Sequence, residues 1–171
     1  MIFVLFSYLY YTSMNWIKNW SVGLILLFSL GSFSLQKTGK EEGVKWYDWN
    51  EGVVKARNEG KIALIDTYTD WCHWCKVMDR NTYANPAIIE LINRDFVAIK
   101  FNPELDRKYV NGTDTLNGRQ LLSALSGGSP GGYPTTYFYL TKKNVMYQEA
   151  GYIEPVKFEG LLKEVLAEHA K

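Results

Sequence analysis

Ile62-Ala63-Leu64-Ile65-Asp66-Thr67-Tyr68-Thr69-Asp70-Trp71-Cys72-His73-Trp74-Cys75-Lys76, residues 62–76, is the stretch whose reading decides the fold. Its first six residues form a short apolar run of strand length, suited to the middle of a sheet. Two cysteines separated by two residues follow at once, opening a mixed polar and apolar segment through Arg80. Upstream, Asp48 with Glu51 three residues later predicts a helix start, and Gly60 can end that helix after about Asn58. Downstream, Asn85-Pro86 is a cap followed by proline at the first helical position, predicting a helix to about Arg94. Phe96-Val97-Ala98-Ile99-Lys100-Phe101 is the next strand, so the order implies a parallel βαβ unit with a right-handed crossover. From Asn102 to Gly132 the pattern loosens: Leu116–Leu125 has helical spacing, and residues 127–132 are a flexible glycine-rich loop. Thr135–Leu140 and Val145–Glu149 read as strands of an antiparallel hairpin turning at Lys142-Lys143-Asn144. Pro155 opens a last helix with Phe158, Leu161, Leu162, Val165 and Leu166 on one face. The fold class is α/β, with a central mixed sheet made of a βαβ unit and a ββα unit, flanked by helices.

The cysteine pair carries the chemistry. A thiolate is the nucleophilic form of cysteine, and a helix N-terminus stabilises nearby negative charge through unpaired N–H groups and the macrodipole. Activated cysteines of this spacing have pKa values of about 3.5–7.5 against about 8.5 unperturbed. Even the mild end stabilises the thiolate by roughly 1.4 kcal/mol. Cys72 is expected as the exposed attacking thiol, and Cys75, one turn inward, as the thiol that resolves the mixed disulfide. Other readings stay open. A structural disulfide would remove little unfolded-state entropy from so short a loop. A zinc site would need Cys72, His73, Cys75 and His169, the only Cys and His in the chain, and adjacent Cys72-His73 make poor joint ligands, so no metal is expected. Two inert buried thiols are the third possibility. Asp66 shares a strand face with Ile62 and Leu64 by the two-residue period, and Lys100 falls at the matching end of the later strand. A carboxylate in line with core residues is costly unless paired or reactive. Asp66 is therefore expected to have a pKa raised by desolvation and to exchange protons with Cys75, with Lys100 moderating its charge. The competing reading is a solvated acid and base at the strand ends.

Composition bounds the rest. Nineteen basic against eighteen acidic residues give a formal charge of +1, which provides no field for phosphate backbones, so nucleic acid is not an expected partner. Hydrophobic content of 47% with 22% charge is that of a globular chain. From Met1 to Gln36 the only charged residue is Lys18. Lys18 and the apolar run Val22–Leu30 have the form of a secretory signal, with small residues at Gly31, Ser32 and Ser34 for cleavage. The expected organisation is a signal peptide or N-terminal membrane anchor over 1–34, with 1–13 an upstream extension if Met14 is the start. A linker over 35–45 and one folded domain over 46–171 follow. The expected location is exported, periplasmic or otherwise extracytoplasmic, membrane-anchored if the segment is retained.

Leu64–Lys76 resembles the active-site strand and helix start of the thioredoxin family. Ala98-Ile99-Lys100-Phe101-Asn102 is similar to that family's next strand, and Gly132-Tyr133-Pro134-Thr135-Thr136 to its cis-proline loop. The resemblance covers about Trp46 to Lys171. With Met78, Asp79 and the Asn85-Pro86 helix, it is nearest to the exported C-terminal domain of DsbD-type thiol:disulfide interchange proteins and their single-domain relatives. The resemblance implies a thioredoxin-like fold and a protein-disulfide reductase or oxidoreductase. It implies Cys72 as nucleophile, Cys75 as resolving thiol, Asp66 as buried acid with Lys100 beside it, and a cis Pro134 whose neighbours Tyr133 and Thr135 offer backbone to a partner. It implies no cofactor beyond the redox-active Cys72–Cys75 disulfide. Its expected partners are protein thiols and disulfides and an upstream electron donor such as a membrane reductase, with the chain a monomer. The sequence departs from ordinary thioredoxins in two places: His73-Trp74 stands between the cysteines where those have Gly-Pro, and the stretch from Leu105 to Gly132 is longer. A cationic His73 would stabilise the Cys72 thiolate, whereas Trp74 would shield the disulfide. Trp71, His73, Trp74 and Tyr133 are expected to rim the partner-contact surface. The alternatives from other classes are a soft-metal chaperone or sensor holding copper(I) at Cys72-His73-Trp74-Cys75, and a redox-inactive scaffold.

Overall fold

A computed structural model describes residues 43–171; the expected signal or anchor over 1–34 lies outside them. The elements are β1 (Trp46–Tyr47), α1 (Trp49–Glu59), β2 (Ile62–Thr67), α2 (His73–Asn81), α3 (Pro86–Asp95) and β3 (Phe96–Phe101). They continue with β4 (Tyr109–Asn111), β5 (Asp114–Leu116), α4 (Gly118–Leu125), β6 (Thr135–Leu140), β7 (Val145–Ala150) and α5 (Pro155–Ala170). Five strands form one sheet in the order β1-β3-β2-β6-β7, and β4-β5 form a separate ribbon. The β1, β3 and β2 strands run parallel, while β6 and β7 are antiparallel to their neighbours. This is the expected mixed sheet.

The local rules act where the sequence places them. Asp48 caps α1 by accepting from the Glu51 N–H at 3.0 Å, and Gly60 closes the helix in the left-handed conformation (φ 62°). Asn85 caps α3 through the Ala87 and Ile88 N–H groups, with Pro86 at the first helical position. Every residue of β2 is buried, as a central strand covered on both faces requires. One core layer packs Ile62, Leu64, Phe96, Ala98 and Phe138 against Ile88, Ile92, Phe158, Leu162 and Val165 of α3 and α5. On the other face Ala63, Ile65, Val97, Ile99 and Tyr137 pack against Trp49, Val53, Ala56, Leu121 and Leu125 of α1 and α4.

Three expectations need correction. Residues 43–45 are not a free linker: Asn93 on α3 donates to the Gly43 carbonyl and accepts from the Lys45 N–H, and Trp46-Tyr47 is already an edge strand beside β3. The helix expected over Leu116–Leu125 starts at Gly118, because Leu116 ends β5 and Asn117 takes the cap position in a full capping box with Gln120. The loose stretch after Asn102 contains the β4–β5 ribbon, which α1 holds in place. The Trp49 indole donates to the Val110 carbonyl at 2.8 Å, and the Asn50 amide brackets the ribbon by accepting from the Val110 N–H and donating to the Lys108 carbonyl.

Candidate active site

The β2 strand ends at Thr67, and residues 68–72 carry the chain from the centre of the sheet to the first turn of α2. Cys72 is the helix cap: its backbone is extended, and its Sγ accepts the Cys75 N–H at 3.0 Å. The Cys72 N–H in turn donates to the Thr69 carbonyl at 3.1 Å. The two sulfurs are joined in a disulfide. Both cysteines are only 3% exposed, whereas Trp71 and Trp74 stand 67% and 55% exposed. The expectation of an exposed Cys72 is therefore not met in the oxidised state. Its sulfur is turned inward onto Cys75 and the helix N–H, with Asp70, Trp71, His73 and Trp74 outermost.

The Tyr133–Pro134 bond is cis. Thr67 pairs with Thr135 across β2 and β6, so the loop before β6 lies alongside the segment leading to Cys72. Trp71 bridges the two, meeting the Tyr133 ring edge-on at 5.7 Å while its indole N–H donates to Glu104 at 3.0 Å. On the other side, Trp74 packs on Tyr152 (5.6 Å) and meets the His73 ring edge-on. The expected rim residues thus fall into two groups, Trp71 with Tyr133 and His73 with Trp74. Thr135 offers no side chain to the surface. It is fully buried in the sheet, its hydroxyl bonded to the Gly132 carbonyl, so any partner contact there is limited to backbone. Pro134 is buried too, and its carbonyl accepts the Gly151 N–H at 2.8 Å.

Asp66 and Lys100 stand opposite each other in the β2–β3 register, with Nζ 2.5 Å from Oδ2. Asp66 is 1% exposed. Burial pushes its carboxyl above the ordinary range, only partly opposed by the Lys100 ammonium. Burial would lower Lys100, but the Asp66 and Asp79 carboxylates together outweigh it and hold the ammonium above its usual value. Asp79, on α2, takes a second contact with Lys100 Nζ at 2.5 Å. The ammonium also lies 4.7, 5.2 and 5.3 Å from the ring centres of Trp46, Tyr68 and Tyr83. Asp79, Tyr83, Glu104 and Tyr152 escaped the sequence reading as site residues. Asp79 carried one usable signal, its place one helical turn beyond Cys75.

The copper alternative finds no support. Both sulfurs are spent on each other, and among the described residues no metal-binding cluster occurs. His169 is tied to the far end of β2, where its Nε2 donates to the Gly60 carbonyl at 2.9 Å.

A mixed sheet with a disulfide at the helix start after its central strand defines a thioredoxin-fold protein carrying a redox-capable cysteine pair. The family model Thioredox_DsbH, described as "Protein of unknown function, DUF255", matches residues 27–169, and the chain belongs to this family. It is 35% identical to human spermatogenesis-associated protein 20 over 72 residues, covering 39% of this chain and 9% of that protein. It is 32% identical to the thiol:disulfide interchange protein DsbD of Pseudomonas fluorescens over 68 residues, covering 40% of this chain and 10% of DsbD. The chain thus spans about a tenth of the length of these curated relatives. A thioredoxin from Thermus thermophilus superposes with a TM-score of 0.57 at 18% identity, covering 74% of this chain and 90% of that one. Among the described residues no helix is long and apolar enough to cross a membrane.

Proposed function

We propose that this chain is an exported thiol–disulfide oxidoreductase that exchanges its Cys72–Cys75 dithiol and disulfide with protein partners, acting as a reductant or isomerase. The observation that carries the reading is Cys72 Sγ in the cap position of α2, bonded to Cys75 and accepting its N–H. In the reduced form the same N–H and the helix N-terminus favour a Cys72 thiolate. That thiolate attacks one sulfur of a partner disulfide; a Cys72–partner disulfide forms and the partner's other sulfur leaves as thiolate. Cys75 then loses its proton to the buried Asp66 carboxylate and attacks Cys72 Sγ. The internal disulfide closes, and the partner's second sulfur leaves and is protonated. Two electrons pass from the dithiol to the partner, and an upstream dithiol donor restores the starting state.

The reductive direction and the export rest on the likeness to DsbD and on the apolar Val22–Leu30 run after Lys18. The exposed Trp71 and Trp74 supply an apolar margin suited to an unfolded or extended partner. The test is insulin reduction with dithiothreitol as donor. The parent should turn over without added metal, Cys72→Ser should be inactive, and Cys75→Ser should accumulate the mixed disulfide. Equal activity of Cys72→Ser and parent would refute the assignment.

A further inference from the structure

Three buried oxygens around Asp66 lack a hydrogen bond of normal geometry: Asp66 Oδ1, Tyr83 Oη and Thr136 Oγ1. They belong to one cluster. Thr136 faces Asp66 in the β2–β6 register, and the Tyr83 ring centre lies 5.3 Å from the Lys100 ammonium that pairs with Asp66, near enough for its hydroxyl to act on the carboxyl. Tyr83 is 4% exposed. Its ring is held edge-on by Trp46 at 4.9 Å and by Phe158 at 5.5 Å, so its hydroxyl has few other directions available. Lys100 occupies Oδ2 alone. A buried carboxylate oxygen left without a donor is costly, and a phenol is a good donor with no charge of its own to bury.

We infer that Tyr83 is a positioning residue for Asp66: its hydroxyl, directly or through one water, donates to the Oδ1 that Lys100 leaves open and keeps the carboxyl in its proton-accepting form. The inference rests on the reading of Asp66 as acceptor of the Cys75 proton. The ionisable groups around Asp66 are Lys100 on β3, Asp79 on α2 and Tyr83 just beyond α2, with Tyr68 beside Lys100. Lys100 and Tyr83 favour the carboxylate, whereas burial and Asp79 oppose it.

Tyr83→Phe removes the hydroxyl and keeps the ring contacts. In the full chain, two quantities are followed against pH: the single-turnover rate of mixed-disulfide resolution, and the ¹³C shift of the Asp66 carboxyl in the reduced protein. Both midpoints should move upward by about one pH unit in Tyr83→Phe, with near-UV circular dichroism unchanged. Asp66→Asn is the control that separates the two ideas. If it leaves the resolution profile intact, the proton-acceptor role of Asp66 fails, and the inference falls with it. If Asp66→Asn flattens the profile while Tyr83→Phe leaves both midpoints in place, Tyr83 has no such role.

Discussion

Reducing the Cys72–Cys75 bond should destabilise the folded domain slightly, and the sign of that change is a test of redox direction. The disulfide closes a loop of four residues, since its cysteines are three apart in sequence. Loop-closure entropy for so small a ring is about 6 cal/mol/K, or about 1.9 kcal/mol at 25 °C, in favour of the oxidised form. Against this, the reduced form gains a thiolate at the first turn of α2. A charge at a helix terminus contributes about 0.3–1 kcal/mol. The oxidised protein should therefore be the more stable by about 1 kcal/mol, which for a domain of this size raises Tm by about 3–5 °C. Urea unfolding at pH 7, followed by far-UV circular dichroism with and without dithiothreitol, measures the difference. By linkage, a fold that prefers the disulfide makes its dithiol a donor of electrons, and about 30 mV of potential corresponds to each 1.4 kcal/mol. A reduced form as stable as the oxidised one, or more so, would refute the reasoning and mark the protein as an oxidant.

Two further outcomes follow from the same geometry. Asp66 is a carboxyl whose folded pKa lies above its unfolded value, so the native state holds its proton longer. Its contribution therefore turns unfavourable as pH rises from about 3.8 through the folded pKa, and the full penalty stands above that. Asp66→Asn should stabilise the protein at neutral pH by about 1–3 kcal/mol, an advantage that fades toward acid in urea titrations run at a series of pH values. Gly118→Ala would set a Cβ 2.2 Å from the Pro103 carbonyl oxygen, which is backbone and cannot swing aside; it should cost about 1–3 kcal/mol in thermal unfolding.

Much of this was legible because the relevant signals are local or strictly periodic. The runs Ile62–Thr67 and Phe96–Phe101 are strands to the residue, and counting by twos along them puts Asp66 across from Lys100, as the register confirms. Asp48, Gly60, Asn85 and Pro86 each act within four residues of themselves. The β4–β5 ribbon was invisible for the opposite reason. Its strands have three residues each, and its anchors, Trp49 and Asn50, lie about sixty positions away. The burial of Cys72 was likewise out of reach, because it depends on the sulfur turning onto Cys75 and the helix N–H, which the spacing of the cysteines alone does not describe. Tyr83 follows a helix with no pattern to mark it, and only tertiary folding brings its hydroxyl to Asp66.

Asn50 has a consequence for the outside of the molecule. A ribbon two strands wide presents raw backbone along both margins, and such margins tend to recruit further chains and seed fibres. Here one amide side chain fills the role a third strand would have taken, capping Lys108 and Val110 on the side nearest α1. With the Trp49 indole on the Val110 carbonyl, it closes the margin of the insertion that faces α1.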